Sequence, residues 1–128
     1  MIKGFEIQTE QLNDYELNTL LPVIVRGLRT KIGSQHAITN KKIVEALKNS
    51  YALSEARVRK VINHIRTNDI IPGLIATSEG YFIAETEEEL SDYEDSLKGR
   101  ENAIREVRLS IERQRRQLFH KNELQELF

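Results

Sequence analysis

Signals for helix starts and turns follow one another in a set order in the N-terminal part of this chain, and that order restricts the possible folds more than any other feature. The first signal is a possible N-cap at Asn13 or Asp14, behind which apolar residues recur at helical spacing at Leu17, Leu21, Ile24, Leu28 and Ile32. We predict a first helix that ends at Gly33 and that Pro22 bends, because proline cannot donate a helical hydrogen bond.

Two further helix starts are marked by hydroxyl side chains. Thr39 is a favourable N-cap for a second helix over residues 40–49, and Ser54 is a favourable N-cap for a third helix over residues 55–68. One stripe of apolar residues predicts the buried side of the third helix, which consists of Val58, Val61, Ile62 and Ile65.

A hairpin is predicted after the third helix. Pro72-Gly73 is a turn signal, and two short β-prone runs follow it at residues 74–77 and 81–84. Three helices and then a hairpin, with a short step between the second and third helices, is the order typical of a winged helix-turn-helix. We therefore predict a mainly α fold with a small β-hairpin wing, in which residues 13–85 form a winged-helix domain.

A second pattern predicts a long C-terminal helix over residues 86–120, directly after the wing. Residues 1–12 are predicted to be an N-terminal tail, and residues 121–128 a C-terminal tail. Thr86 and Glu89 form a capping box at the start of this helix. Apolar residues seven apart define one position of a heptad seam, at Leu90, Leu97, Ile104, Ile111 and Leu118. The second seam position is interrupted by polar residues, since it holds Tyr93, Arg100, Val107 and Gln114.

The seam has two predicted uses. Its first half is expected to pack back on the first helix and complete the domain core. Its second half extends beyond what a domain of this size can cover, and an exposed apolar stripe implies a partner. A second copy of the chain is the simplest partner, so we predict homodimerisation through Ile104, Val107, Ile111 and Leu118.

Charge is distributed unevenly, although the whole chain has a net charge of −1. Residues 26–66 contain ten Lys/Arg and two acids, whereas residues 79–97 contain eight acids and no Lys/Arg. Clustered positive charge attracts phosphate and releases counterions on binding, so the basic block predicts a polyanionic partner. The basic half of the long helix has two possible roles: it can contact nucleic acid, or lie against the acidic block of a neighbouring chain.

The side of the third helix opposite its buried stripe is the candidate DNA-binding site. Arg and Lys contact guanine edges or phosphates, and Asn can pair with adenine, so this side has the chemistry of a helix that reads a major groove. The same residues also fit an ordinary solvated helix face, and the basic block and hairpin favour the DNA interpretation. Lys41 and Lys42 at the start of the second helix are expected to contact phosphate. The full candidate set is Lys41, Lys42, Arg57, Arg59, Lys60, Asn63, His64, Arg66 and Thr67. The wing is left out of this set, because its tip carries Glu79 and no basic residue.

Other functional classes find little support in the sequence. There is no cysteine, the three histidines lack the spacing of a metal site, and neither a glycine-rich phosphate loop nor a nucleophile motif is present. We therefore predict no enzymatic activity, no metal, no cofactor and no small-molecule substrate. The longest apolar run, residues 20–25, is far shorter than the roughly 20 residues of a membrane span, so no membrane association is expected.

Three segments of the chain resemble small winged-helix proteins of bacteriophages and prophages. They are residues 37–43 (AITNKKI), 56–66 (ARVRKVINHIR) and 73–84 (GLIATSEGYFIA). The resemblance covers about residues 14–115 and implies a DNA-binding role in a bacterial cytoplasm, near phage replication or regulation genes.

The function predicted from these features is duplex-DNA binding by a dimer, in phage transcription control or replication. The alternative is a protein-interaction module in which the winged helix is a scaffold and the long helix binds a component of a replication or transcription complex.

Overall fold

The computed structural model describes the backbone of residues 10–126 and the side chains of residues 10–120. The predicted fold class is confirmed in its coarse form: the chain is mainly helical, with a two-stranded antiparallel hairpin and a long C-terminal helix. The elements are α1 (Leu21–Leu28), α2 (Asn40–Leu47), α3 (Glu55–Thr67), β1 (Leu74–Thr77), β2 (Gly80–Ile83) and α4 (Glu87–Glu126). Most of the predicted N-terminal tail, residues 1–9, lies outside the described residues.

The chain divides into an N-terminal unit, Met1–Leu90, and a C-terminal unit, Ser91–Phe128. The core of the N-terminal unit is built around α3, whose predicted buried stripe is confirmed, because Val58, Val61, Ile62 and Ile65 are all 0% exposed. Apolar residues from α1 and the turn before it, from α2 and from the hairpin pack on this stripe, among them Leu20, Ile24, Leu28, Ile43, Leu74 and Tyr81.

The first predicted helix is wrong in its end, because α1 stops at Leu28 and not at Gly33. Its predicted apolar positions are only partly the buried ones, since Leu17 and Ile32 are 42% and 51% exposed whereas Leu20, which the pattern left out, is buried. A π-helical turn at Glu16–Leu20 precedes α1, so one extra residue enters the turn and the helix face rotates. This wide turn lies immediately before Pro22, close to the bend predicted from the missing proline N–H.

The chain leaves α1 after Leu28 because residues 31–38 pair with β2. Lys31 accepts a hydrogen bond from the Ile83 N–H (2.7 Å), and Gly33 donates one to the Ile83 carbonyl (2.9 Å). Ile38 and Tyr81 exchange two more backbone hydrogen bonds, of 3.0 and 2.8 Å. The hairpin therefore has a third pairing segment, made of two isolated bridges, which the sequence pattern did not reveal.

Gly80 permits this pairing. Its φ of +122° is in a region that residues with a Cβ rarely adopt. A Cβ at this position would lie 2.5 Å from the backbone carbonyl carbon of Ile38, which is too close for any side chain. The turn between β1 and β2 and the approach of residue 38 thus both depend on glycine.

The predicted helix caps are confirmed. The Thr39 and Ser54 hydroxyls accept hydrogen bonds of 3.2 Å from the backbone N–H of Lys42 and Arg57, respectively. At the start of α4, Thr86 and Glu89 bond each other reciprocally, as a capping box requires. Helix ends agree with prediction to within two residues for α2 and α3, since these helices end at Leu47 and Thr67.

α4 continues past the predicted end at residue 120 and reaches Glu126. Its side chains within the C-terminal unit form local ion pairs, in which Glu112 lies 2.9 Å from Arg116 and 3.9 Å from Arg108. Across the described part of the chain, no helix combines the length and the apolar character needed to cross a membrane.

Candidate nucleic-acid interface

The candidate side of α3 is less exposed than its sequence suggests. Thr67 is exposed, whereas the other candidates on this helix are half-buried: Arg57, Arg59, Lys60, Asn63, His64 and Arg66. Lys41 and Lys42, in the first turn of α2, are exposed. The candidate residues therefore differ in what surrounds them, and they divide into three groups.

The first group consists of Arg57 and Lys60, which both bind Glu16. The Glu16 side chain is buried, with 3% of the residue exposed. Its Oε1 accepts a hydrogen bond from Lys60 Nζ at 2.7 Å, and its Oε2 accepts one from Arg57 Nε at 3.1 Å. These contacts join the π-helical turn to α3 across more than 40 residues of sequence.

Asn13 completes the surroundings of Glu16. The Asn13 side chain accepts a hydrogen bond from the Glu16 N–H (2.8 Å), and Glu16 Oε1 accepts one from the Asn13 N–H (2.9 Å). This is a capping box, with the spacing also found at Thr86 and Glu89. Glu16 was not among the predicted site residues, although the Asn13-x-x-Glu16 pattern was a usable signal for it.

Glu16 is ionised at neutral pH. Burial alone raises the pKa of this carboxyl, but the hydrogen bonds from Lys60 and the Asn13 N–H, together with the charges of Lys60 and Arg57, outweigh burial and lower the pKa. A buried carboxylate thus neutralises one of the two cations that hold it.

Arg57 has further contacts within the protein. Its Nη1 donates to the Ala52 carbonyl at 3.1 Å, and its guanidinium lies 5.5 Å from the centre of the Tyr15 ring. The Tyr15 hydroxyl in turn accepts a hydrogen bond from the Ala52 N–H. Arg57 therefore ties the loop before α3 to the start of the chain's first helical turn, which is a structural role the sequence analysis did not assign to it.

The second group consists of Asn63, His64, Arg66 and Thr67, in the C-terminal half of α3. The Thr67 hydroxyl donates to the Asn63 carbonyl at 2.9 Å, and Asn68 Nδ2 donates to the His64 carbonyl at 2.9 Å. The Asn68 side chain thus adds to the hydrogen bond of 3.1 Å that its backbone N–H donates to the same His64 carbonyl at the helix end. Asn68 is a C-capping residue that the sequence analysis did not identify.

Lys41, Lys42 and Arg59 form the third group. Among residues 10–120, the structure gives these three side chains no salt bridge and no hydrogen bond to an acceptor. Lys41 and Lys42 follow the Thr39 cap, where the helix N-terminus adds positive potential. These cations can bind an anion without breaking a contact inside the described structure.

The four residues predicted to mediate dimerisation are all exposed. The exposed fractions are 53% for Ile104, 63% for Val107, 56% for Ile111 and 62% for Leu118. Phe119, which the prediction did not include, is 67% exposed. The C-terminal unit therefore presents apolar side chains to solvent along more than four helical turns.

No group of three or more His, Asp or Glu side chains within the described residues is arranged to hold a metal ion. Comparison with protein-family models, with curated proteins and with solved structures gives no match to this chain.

Proposed function

We propose that this chain is a winged-helix protein that binds duplex DNA, with α3 in the major groove and the start of α2 against the phosphate backbone. The observation that carries the proposal is the set of three cations, Lys41, Lys42 and Arg59, that have no acceptor among residues 10–120. They lie on the two successive helices that a helix-turn-helix places at DNA.

The pairing of residues 31–38 with β2 also supports this proposal. In a winged helix, a short segment between the first and second helices adds to the hairpin, and the Ile38–Tyr81 and Ile32–Ile83 bridges lie at the corresponding place in the order of elements. The basic character of residues 26–66 supplies the long-range attraction for a polyanion.

Arg57 and Lys60 have a secondary place in this proposal. With Glu16 they form a cluster whose net charge is +1, so each contributes less to phosphate attraction than a solvated cation. We assign sequence-independent affinity mainly to Lys41 and Lys42, and base contacts to Arg59 and Asn63.

The test is the affinity for a random-sequence duplex, measured by fluorescence anisotropy over a series of salt concentrations. We expect affinity to fall steeply as salt is added. The double variant Lys41→Glu/Lys42→Glu should make the slope of log K against log salt shallower by about 2, since each phosphate contact contributes about −0.9 to that slope. Arg59→Glu should weaken binding by about tenfold or more.

Lys48→Glu is the matched control, because Lys48 is an exposed lysine at the opposite end of α2. It makes the same charge change as Arg59→Glu and half that of the double variant, but it should alter affinity much less than either. Lys60→Glu is a poor probe, since it would place a second carboxylate beside buried Glu16 and destabilise the fold. Equal losses for the α2 variants and the control, or no binding at low salt, would contradict the proposal.

The biological role belongs to the same proposal. The resemblance of three segments to phage winged-helix proteins supports action in transcription control or replication initiation in a bacterial cytoplasm, with two copies joined through α4. Selection of bound sequences from a random duplex library, followed by location of those sequences in the genome, tests this role.

The rival function is a protein-interaction module, which the exposed apolar residues of α4 favour. Two results together would favour this rival. The chain would bind no duplex at low salt, and it would recover one stoichiometric protein from a phage-infected lysate. The Ile111→Asp variant would no longer recover that protein.

A further inference from the structure

The charges beside the seam of α4 change sign halfway along the helix. One flank of the seam carries Glu87, Glu94 and Glu101 in its first half and Arg108 and Arg115 in its second half. The other flank begins with Glu89 and is then uncharged, since it holds Ser96, Ala103, Ser110 and Gln117. Charges at these flanking positions determine which helix binds to which and in what direction.

We propose that α4 pairs with α4 of a second copy of the chain in the antiparallel direction, with Ile104 of each copy against the partner's Val107. In an antiparallel pair, the two seam positions face each other, and the charged flank of one helix lies beside the same flank of the other. A rise of 1.5 Å per residue then fixes the neighbours along the whole seam. In this register four ion pairs form, two of Glu94 with the partner's Arg115 and two of Glu101 with the partner's Arg108.

In the same register, each polar residue at the second seam position lies opposite an apolar residue of the partner helix. Ile104 and Val107 of both helices form the centre. Leu97 faces the partner's Gln114, and Ile111 faces the partner's Arg100, whose aliphatic stem can pack while its guanidinium reaches solvent. The polar residues of the second seam position therefore lie against large apolar residues, and no polar residue lies opposite a polar one.

Other arrangements bring like charges together. Sliding the antiparallel helices by one heptad in one direction keeps four ion pairs, of Glu87 with the partner's Arg115 and of Glu94 with the partner's Arg108, but it places Glu101 beside the partner's Glu101. Sliding them in the other direction keeps two ion pairs and places Arg108 beside the partner's Arg108. A parallel pair places Arg100 against the partner's Arg100, and it leaves Arg108 and Arg115 beside uncharged flank residues. Charge complementarity thus selects one direction and one register for a pair of identical chains.

This inference deepens the dimer of the proposed function, and it places the two copies of Leu90 about 45 Å apart along the paired helices. It concerns α4 alone and is tested without DNA. Loss of DNA binding with an intact antiparallel pair would overturn the proposed function only, whereas DNA binding by a monomer would overturn this inference only.

Disulfide trapping tests the direction, because the natural sequence has no cysteine. We would prepare Leu97→Cys and Gln114→Cys in full-length chains of different mass and oxidise them separately and mixed. The antiparallel pair predicts a covalent heterodimer in the mixture and little covalent dimer from either variant alone, since like positions are then about 25 Å apart. Efficient covalent dimers of Leu97→Cys alone would show a parallel pair and overturn the proposal.

Charge exchange tests the register. Glu101→Arg should weaken dimerisation about tenfold or more at low salt, measured by sedimentation equilibrium, because two ion pairs become two repulsions. Adding Arg108→Glu to the same chain should restore the affinity. Glu106→Arg, which makes the same charge change on the side away from the seam, is the control and should change affinity by less than twofold. A monomer at tens of micromolar, or the failure of the double variant to restore pairing, would overturn the proposal.

Discussion

The two units of this chain differ in how far their apolar side chains are buried. In the N-terminal unit, Val61 and Ile62 are completely buried by residues of the same unit. In the C-terminal unit, Ile104 and Val107 have more than half of their surface exposed, although their spacing along the helix is equally regular. The contrast shows that periodicity indicates which side of a helix is apolar, and that it does not show what covers that side.

The carboxylates of the two units differ in burial in the same way. Glu16 and Glu112 each lie between two cations, with Arg57 and Lys60 around the first and Arg108 and Arg116 around the second. The side chain of Glu16 is 4% exposed, whereas that of Glu112 is 34% exposed. Water screens the second set of charges more than the first, so equal numbers of ion pairs are not equal in energy.

The largest effect is expected from truncating the core of the N-terminal unit. Ile62→Ala should lower its free energy of unfolding by about 2–5 kcal/mol, because the change removes buried methyl groups and leaves a cavity. Ile104→Ala, the same substitution in α4, should change that free energy by less than about 0.5 kcal/mol. Amide hydrogen exchange in α3 measures both effects, since these amides report on opening of the N-terminal unit.

Ile104→Ala should instead weaken self-association, which sedimentation equilibrium measures in the same samples. A large change in α3 exchange on Ile104→Ala at protein concentrations where the chain is monomeric would contradict the contrast between the two units.

Sequence patterns succeeded where the signal is local. The Thr39 and Ser54 caps, the buried stripe of α3 and the Pro72-Gly73 turn each depend on residues within a few positions, so α2, α3 and the hairpin were predicted almost to the residue. The π-helical turn was not predicted, because Leu17, Leu21 and Ile24 also fit the spacing of an uninterrupted α-helix, and the pattern therefore included Leu17 and left out Leu20.

Long-range contacts escaped the sequence analysis for a different reason. The bridges of Ile32 and Ile38 to β2 involve single residues, which have no periodicity. Glu16 contacts Arg57 and Lys60, which are 41 and 44 residues away, and no pattern within either segment specifies that pairing. The candidate site was thus predicted as a set of residues, but two of its cations were found bound to a carboxylate that only the fold brings near.

A smaller effect is expected from Glu16→Gln. This change removes the charge that Arg57 and Lys60 surround, and it should lower the free energy of unfolding of the N-terminal unit by about 1–3 kcal/mol at neutral pH. Since folding lowers the Glu16 pKa, its stabilising contribution is complete above the ordinary value of 4.5 and is lost as pH falls through the lower value in the folded state. The difference between the two proteins should therefore shrink below about pH 4.5, which urea unfolding at several pH values measures.

Glu55→Gln is the control for this titration, because Glu55 is an exposed acid in the first turn of α3. Its free energy of unfolding should differ much less from that of the natural chain at neutral pH. A Glu16→Gln difference that stayed constant from neutral pH to pH 3 would mean that the cluster contributes shape and hydrogen bonds but no charge interaction.

The smallest effect is expected from Glu112→Gln, the corresponding change in α4. It removes two ion pairs, as Glu16→Gln does, but both are i,i+4 pairs on a solvated helix and are worth about 0.3–0.5 kcal/mol each at most. Helicity measured by circular dichroism at low and at high salt should differ between Glu112→Gln and the natural chain only at low salt, since salt screens exposed charges. A large loss of helicity that persists at high salt would mean that Glu112 is buried in solution. A partner that covers α4 would then have to cover this residue as well as the seam.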